Sequence, residues 1–117
     1  MKKNVVTGKI GEAKALDYLV KNKMKILKTN YSLNLGEIDI IAKDGDTIVF
    51  VEVKDRGSNK FGLPREAVTP QKQHKIRNVA LCYLKSIHSL DASCRFDVVE
   101  IIGDEITLIK NAFWFIY

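Results

Sequence analysis

The stretch VFVEVK, residues 49–54, decides how this 117-residue chain is read. Apolar residues stand where a buried strand wants them, yet Glu52 and Lys54 interrupt its far end. An unpaired charge in a protein interior costs several kcal/mol, so these two residues need partners or a task.

The residues just before supply candidates. GEIDIIA (36–42) alternates, so Ile38, Ile40 and Ala42 are expected on one face of a strand and Glu37, Asp39 and Ile41 on the other. Asp44-Gly45 is a hairpin signal, which makes TIVFVEVK (47–54) the returning strand. A loop of Asp44-Gly45 sets Asp39 opposite Phe50 and Glu37 opposite Glu52; a loop of residues 44–47 sets Asp39 opposite Glu52. Either register gathers Glu37, Asp39 and Glu52 on one face with Lys54 beside them, and only a three-residue loop without a bulge separates them.

Like charges opposed across strands destabilise a sheet, so three carboxylates beside one lysine call for a cation. Hard oxygen ligands, with no His or Cys in the pattern, suit Mg²⁺ or Mn²⁺. Such an ion polarises a phosphoryl oxygen and lowers the pKa of a bound water. Lys54 is then placed to orient that water or to offset charge building on the phosphate. The pattern outlines metal-dependent cleavage of a phosphodiester. The plainer reading of E-x-K on a strand is a surface salt bridge, with Asp39 facing solvent on an edge hairpin.

Outward from the hairpin, Thr7 is the expected cap of a helix running to about Asn22, with Ile10, Ala13, Leu16, Leu19 and Val20 as its apolar stripe. A short strand is expected at residues 24–28 and a polar turn at 30–34. Residues 55–68, rich in glycine, proline and charge, read as a loop. Thr69-Pro70 then starts a helix that runs to about Ser89, with Ile76, Val79, Ala80, Tyr83, Leu84 and Ile87 on its core face. RFDVVEII (95–102) and EITLIK (105–110) are strands joined by a turn at Gly103-Asp104. The expected fold is α/β in the order α-β-β-β-α-β-β: a central mixed sheet flanked by helices, in one domain covering residues 1–117.

Composition narrows the function classes. With 46% hydrophobic and 28% charged residues the chain reads as soluble and globular, and no apolar run is long enough to span a bilayer. MKKN at the start leads into no signal-type apolar region, and Cys82 and Cys94 lack metal-type spacing, so a cytoplasmic protein with free thiols and no membrane partner is expected. The net charge is +5, and residues 54–77, with seven cations against two anions, carry an excess equal to all of it. Concentrated positive charge beside a loop fits a polyanionic partner, most simply nucleic acid; its plain alternative is a solvated, solubilising face.

An acid on one strand and E-x-K on the next, between two helices, resembles the PD-(D/E)XK nuclease superfamily. More closely, the chain resembles the YraN-like family of small bacterial proteins, predicted to be endonuclease-related. The resemblance runs through Gly8-x-x-Gly11-Glu12-x-x-Ala15, Asn30-Tyr31, Gly36 to Ala42 and Val49-Phe50-Val51-Glu52-Val53-Lys54-x-Arg56. It continues through Glu66-Ala67-Val68, Lys72 and Arg95-Phe96-Asp97-Val98-Val99. It implies a restriction-endonuclease-like core related to archaeal Holliday-junction resolvases, acting on DNA, with branched or structured DNA among its substrates. Asp39 and Glu52 would be metal ligands, with Glu37 beside them, and Lys54 the catalytic lysine. Glu12 is similar to the extra acid such resolvases bring from the first helix; read without the family it is a helix surface residue. Lys72, or Gln71 beside it, would reach toward substrate. Ile38 stands where the superfamily name has proline.

Arg56, Lys60, Arg65 and Lys75 complete the expected nucleic-acid surface, as a loop and helix that either meet substrate or form a mobile basic surface. Phe61 either stacks on a base or packs under that loop, and His74 is a solvated helix residue within reach of phosphate. Asp97 either pairs with Arg95 or supports the site from behind it, and a structural role is the expected one. The aromatic tail of Phe113, Trp114, Phe115 and Tyr117 either closes the core or makes a homodimer surface. The alternative to a nuclease is a catalytically silent nucleic-acid-binding module of the same fold.

Overall fold

The computed structural model describes residues 2–57 and 68–114, with residues 2–9 as backbone only. Helix α1 (Lys2–Lys21) leads into strands β1 (Lys25–Leu33), β2 (Gly36–Asp44) and β3 (Thr47–Asp55); helix α2 (Pro70–Ser86) follows, then strands β4 (Cys94–Ile102) and β5 (Glu105–Phe113). The expected element order is the observed one. The five strands lie side by side in chain order. All neighbours are antiparallel except β3 and β4, which run parallel and are therefore the pair that needs a crossover, with α2 on it.

Each helix covers one face of this mixed sheet. On one face, Ile76, Val79, Ala80, Tyr83 and Leu84 of α2 pack against Ile41, Ile48, Phe50, Phe96 and Val98. On the other, Ala15 and Leu19 of α1 pack against Ile40, Ala42, Val49, Val51, Val99 and Ile101. The central strands thus bury both sides, which is why VFV reads as a continuous apolar run. Phe96 stacks between Phe50, 5.3 Å away centroid to centroid, and Phe113, at 4.8 Å. At the start of β4, Arg95 Nε donates to Asp97 Oδ2 (3.0 Å) and Nη2 to Asp44 Oδ2 (2.8 Å), while the Asn111 N–H donates to Asp97 Oδ1 (3.0 Å). Burial raises the pKa of Asp97, against the pull of the Asn111 N–H and Arg95. Asp97 is therefore a structural tie that joins the hairpin turn to β4 and β5.

Several expectations are corrected. Thr7 lies inside α1, which begins at Lys2; nothing in Lys-Lys-Asn-Val-Val opposes helix strongly enough to force a start at Thr7. The first strand is not confined to residues 24–28, and of residues 30–34 only Asn34 lies in a turn: β1 pairs with β2 from Lys25 to Leu33, with a bulge between Ile26 and Lys28. Pairing partners outweigh weak local preference in an edge strand. The hairpin turn is Gly45-Asp46, closed by the pair Asp44–Thr47, with Gly45 in the left-handed region at φ 60°. Strict alternation in β2 fails at Asp39: Ile38 packs on the α2 face, whereas Ile40 and Ala42 pack on the α1 face. Helix α2 ends at Ser86, and Ile87, expected in the core, is 40% exposed because the chain turns out through His88 at φ 55°.

At its other end α2 starts as expected, with Pro70 in the first turn and the Thr69 hydroxyl accepting from the Lys72 N–H at 3.2 Å. The aromatic stack gives a stability test. Phe96→Ala should cost about 3–5 kcal/mol of unfolding free energy in urea titration, since it empties the middle of three stacked rings. A loss below about 1 kcal/mol would contradict this packing.

Candidate active site

The ladder between β2 and β3 fixes the site's geometry. Its pairs run Asp44–Thr47, Lys43–Ile48, Ala42–Val49, Ile41–Phe50 and Ile40–Val51, so the next step places Asp39 across from Glu52. This is the second of the two registers open to the sequence. Regular pairing stops there, and the Asp39 carboxylate instead accepts the Val53 N–H through Oδ2 at 2.8 Å. That bond turns the acid toward β3 and ties it down.

Glu52 lies on the same face as Phe50, and its side chain is only 3% exposed. Two partners keep it there: it shares a hydrogen bond with Asp39, and the Lys72 ammonium pairs with its Oε2. Lys72 reaches it from the first turn of α2, the turn fixed by the Thr69 cap. Lys54, two residues along β3, lies within electrostatic reach of Lys72, Glu52 and Asp39. Two acids and two lysines therefore form one connected cluster at the carboxyl end of β3.

Burial, the shared hydrogen bond and the charge of Asp39 push the Glu52 carboxyl up to about 8, although Lys72 opposes them. Burial and the positive charge of Lys72 lower the pKa of Lys54, with Glu52 and Asp39 resisting. Burial works against the charge of Lys72 as well, but its hydrogen bond to Glu52 and the two nearby acids win, and its pKa is raised. Glu37 is exposed at the rim, and burial together with Asp39 and Glu12 raises its pKa while Lys72 lowers it. Glu37 is thus within electrostatic reach of an acid from α1 and a cation from α2.

Glu12 arrives on α1, where Gly11 lets the helix close on the end of β3. A Cβ at Gly11 would lie 2.9 Å from Asp55 Oδ2 and 3.2 Å from Asp55 Cβ. The Glu12 carboxylate accepts from the Asn30 amide at 2.7 Å. The structure therefore brings Glu12, Glu37, Asp39, Glu52, Lys54 and Lys72 to one end of the sheet.

Other expected residues fall differently. Arg56 is not a freely projecting phosphate contact: its Nε pairs with Glu100 at 2.9 Å, and the two side chains are 18% and 8% exposed. Glu100 stands beside Lys54 in the β3–β4 ladder and was not visible as a partner in the sequence, because parallel pairing across a crossover leaves no local signal. Gln71, His74 and Lys75 are exposed on the first turns of α2. Lys60, Phe61, Arg65, Glu66, Ala67, Phe115 and Tyr117 lie outside the described residues. Of the tail, Phe113 closes the core and Trp114 is 66% exposed; the Trp114 carbonyl accepts from Arg77 Nε at 2.5 Å. Cys82 and Cys94 are free thiols. No helix among the described residues is long and apolar enough to cross a membrane.

Two carboxylates whose contact is stabilised by a proton and an ammonium form a site that demands positive charge, and their oxygens suit a hard divalent ion. Among the described residues no three His, Cys, Asp or Glu side chains form a ready-made metal cage. Mg²⁺ does not require one, since one or two carboxylates with substrate oxygens and water suffice.

The raised pKa of Glu52 has a consequence for stability. Between its ordinary value of 4.5 and about 8, folded Glu52 keeps a proton that the unfolded chain gives up. Its contribution is full below about pH 4.5 and is lost as pH rises through about 8. In chelator-treated protein, unfolding free energy should fall from pH 5 to pH 8.5 by about 1–3 kcal/mol more in wild type than in Glu52→Gln. Equal slopes in the two proteins would refute a raised Glu52.

Comparison with known proteins bears on this arrangement. The model of the uncharacterised protein family UPF0102 matches residues 11–101. The chain is similar to a UPF0102 protein of Syntrophus aciditrophicus, 50% identical over 121 residues, covering 100% of this chain and 95% of that protein. It is similar also to UPF0102 proteins of Caldicellulosiruptor saccharolyticus (47% identical, 91% of this chain and 95% of that one) and Caldicellulosiruptor bescii (51% identical, with the same coverage).

Proposed function

This chain belongs to the UPF0102 family, the YraN-like family its motifs resemble, and we propose that it is a Mg²⁺- or Mn²⁺-dependent nuclease of the PD-(D/E)XK type that hydrolyses DNA. The observation that carries the reading is the cluster itself: Asp39 against Glu52, with Lys54 and Lys72 joined to it. The α-β-β-β-α-β-β order and the parallel β3–β4 pair agree with a restriction-endonuclease-like core. Exposed Gln71 and Lys75 flank the acids with hydrogen-bonding and positive groups for a phosphate backbone. The protein would act in the cytoplasm.

Asp39 and Glu52 would hold the divalent ion, with Glu37 at the rim, and the ion would supply Lewis-acid polarisation of a phosphoryl oxygen. The rest falls to side chains. The Val53 N–H fixes the Asp39 carboxylate, so one acid is oriented before any ligand arrives. Lys54, its pKa lowered by burial and by Lys72, exchanges a proton more readily than a solvated lysine. It is placed to orient an attacking water or to neutralise charge growing on the phosphate. Lys72 holds Glu52 in place and presents a second cation at the same point.

Wild type and the variants Glu52→Gln, Asp39→Asn and Lys54→Met should be compared on junction, flap, single-stranded and duplex DNA with Mn²⁺. Each substitution is expected to lower cleavage by about 100-fold or more. Equal cleavage by wild type and Glu52→Gln would refute catalysis at this cluster. One observation favours a silent binding module instead: the Lys72 ammonium already occupies a position beside Glu52. That reading predicts no cleavage, with DNA binding that survives Glu52→Gln. In either case Lys75→Gln should weaken binding uniformly across sequences and reduce the slope of log affinity against log salt by about 1. An unchanged slope would remove Lys75 from the interface.

A further inference from the structure

Strands β1 and β5 are the two edges of the sheet, and they are guarded unequally. An exposed edge offers unpaired N–H and C=O groups to any other strand, and proteins blunt such edges with lysines, bulges and irregular backbone. The β1 edge carries Lys25 and Lys28, a bulge between Ile26 and Lys28, and Asn30 in the left-handed region at φ 51°. The β5 edge carries none of these from Glu105 to Ile109, where its pairing with β4 is unbroken. The Gly103-Asp104 turn bounds this run on one side, and the irregularity around Asn111, at φ 54°, bounds it on the other. Ile106, Leu108 and Ile109 are only partly buried, and Thr107 is exposed. The helices lie mainly elsewhere, α1 over β1, β3 and β4 and α2 over β2.

We propose that β5 is a self-association edge, at which a second copy of this chain adds its own β5 antiparallel about a two-fold axis at Thr107. The two five-stranded sheets then become one. The run Glu105–Ile109 is centred on Thr107, so this axis is the one that pairs all five regular residues of both copies. A two-fold normal to the sheet opposes residues of equal parity: Thr107 meets its own copy, Ile106 meets Leu108, and Glu105 meets Ile109. Ile106 and Leu108 share the α1 face, so the two copies form two apolar cross-strand pairs there. One step further out, Lys110 of each copy arrives at the Gly103-Asp104 turn of the other, where Asp104 supplies the opposite charge. Neighbouring axes are poorer. One at Leu108 sets Ile106 against Lys110 and Glu105 against the irregular Asn111, and one at Ile106 sets the turn residue Asp104 against Leu108. Because the axis is normal to the sheet, both acid clusters open on the same face. Lys54, Glu100 and Thr107 lie in one row across β3, β4 and β5, so the two Lys54 residues stand about 24 Å apart, or five strand spacings. The pairing would hold whether or not the clusters cleave DNA.

Sedimentation equilibrium of wild type, at concentrations up to about 1 mM, should show monomer and dimer in exchange. Thr107→Lys, which opposes two ammonium groups across the axis at an exposed position, should weaken the dimer about fivefold or more. Register is read by oxidation in a Cys82→Ser/Cys94→Ser background, which removes both native thiols. Thr107→Cys places thiols on directly opposed residues, with Cα atoms about 4.5–5.5 Å apart and within disulfide reach. Glu105→Cys places them four residues apart along the strands, at about 14 Å. A crosslinked dimer is expected from Thr107→Cys and not from Glu105→Cys. A wild type that stays monomeric throughout, a dimer indifferent to Thr107→Lys, or equal crosslinking of the two cysteine variants would overturn the proposal. Should the serine background fail to fold, the comparison of wild type with Thr107→Lys decides alone.

Discussion

Everything at the working end of this molecule depends on keeping a nearly buried glutamate at the end of β3. The side chain of Glu52 is 3% exposed, on the face where Phe50 joins the core. A carboxylate so placed is tolerated only with positive charge or a proton beside it. Lys72 supplies the charge, whereas burial and Asp39 both favour the proton, and on balance the pKa of Glu52 is raised. The rest of the fold can be seen as the means of delivering those partners. The hairpin brings Asp39, the crossover brings α2, and the Thr69 cap fixes the turn from which Lys72 extends.

The delivery relies on stiff elements. The parallel β3–β4 pair is buried on both faces, by α2 residues on one side and α1 residues on the other. The stacked rings of Phe50, Phe96 and Phe113 tie three strands together beneath α2. At the opposite end of the sheet, Arg95 links Asp44 of the hairpin turn to Asp97 of β4, so β2 cannot easily shift along β3. A one-residue slip would move Asp39 away from Glu52 and send its side chain to the wrong face. Register therefore decides whether the acids meet, and a partly buried ion-pair network distant from them helps to hold it.

The sequence made much of this legible, for reasons that can be named. Glu37, Asp39, Glu52 and Lys54 lie on two adjacent strands joined by a tight turn, so loop length narrows their pairing to a few registers, one of which the ladder adopts. Thr69-Pro70 marks a helix start whose local chemistry is self-sufficient. Contacts that cross the sheet through the crossover were less accessible. Neither the Lys72–Glu52 pair nor the Arg56–Glu100 pair leaves a trace in local spacing, and Arg56 consequently read as a free basic residue. Strand β1 was cut short for a related reason: it is an edge strand rich in polar residues, and its extent is dictated by β2 rather than by any periodicity of its own.

Three of the local irregularities meet around Asp39. Alternation in β2 breaks between Ile38 and Ile40, the β2–β3 pairing stops short of Asp39, and β1 carries a left-handed Asn30 across from it. A hairpin optimised for stability alone would have continued its ladder through these positions and kept its side chains alternating. Here the backbone group that would have joined a ladder bond, the Val53 N–H, is satisfied by the Asp39 carboxylate. Local order has been exchanged for an acid aimed at its neighbour. Departures of this kind, beside charges that are also forced together, support the proposed ligand-binding role of this end of the sheet.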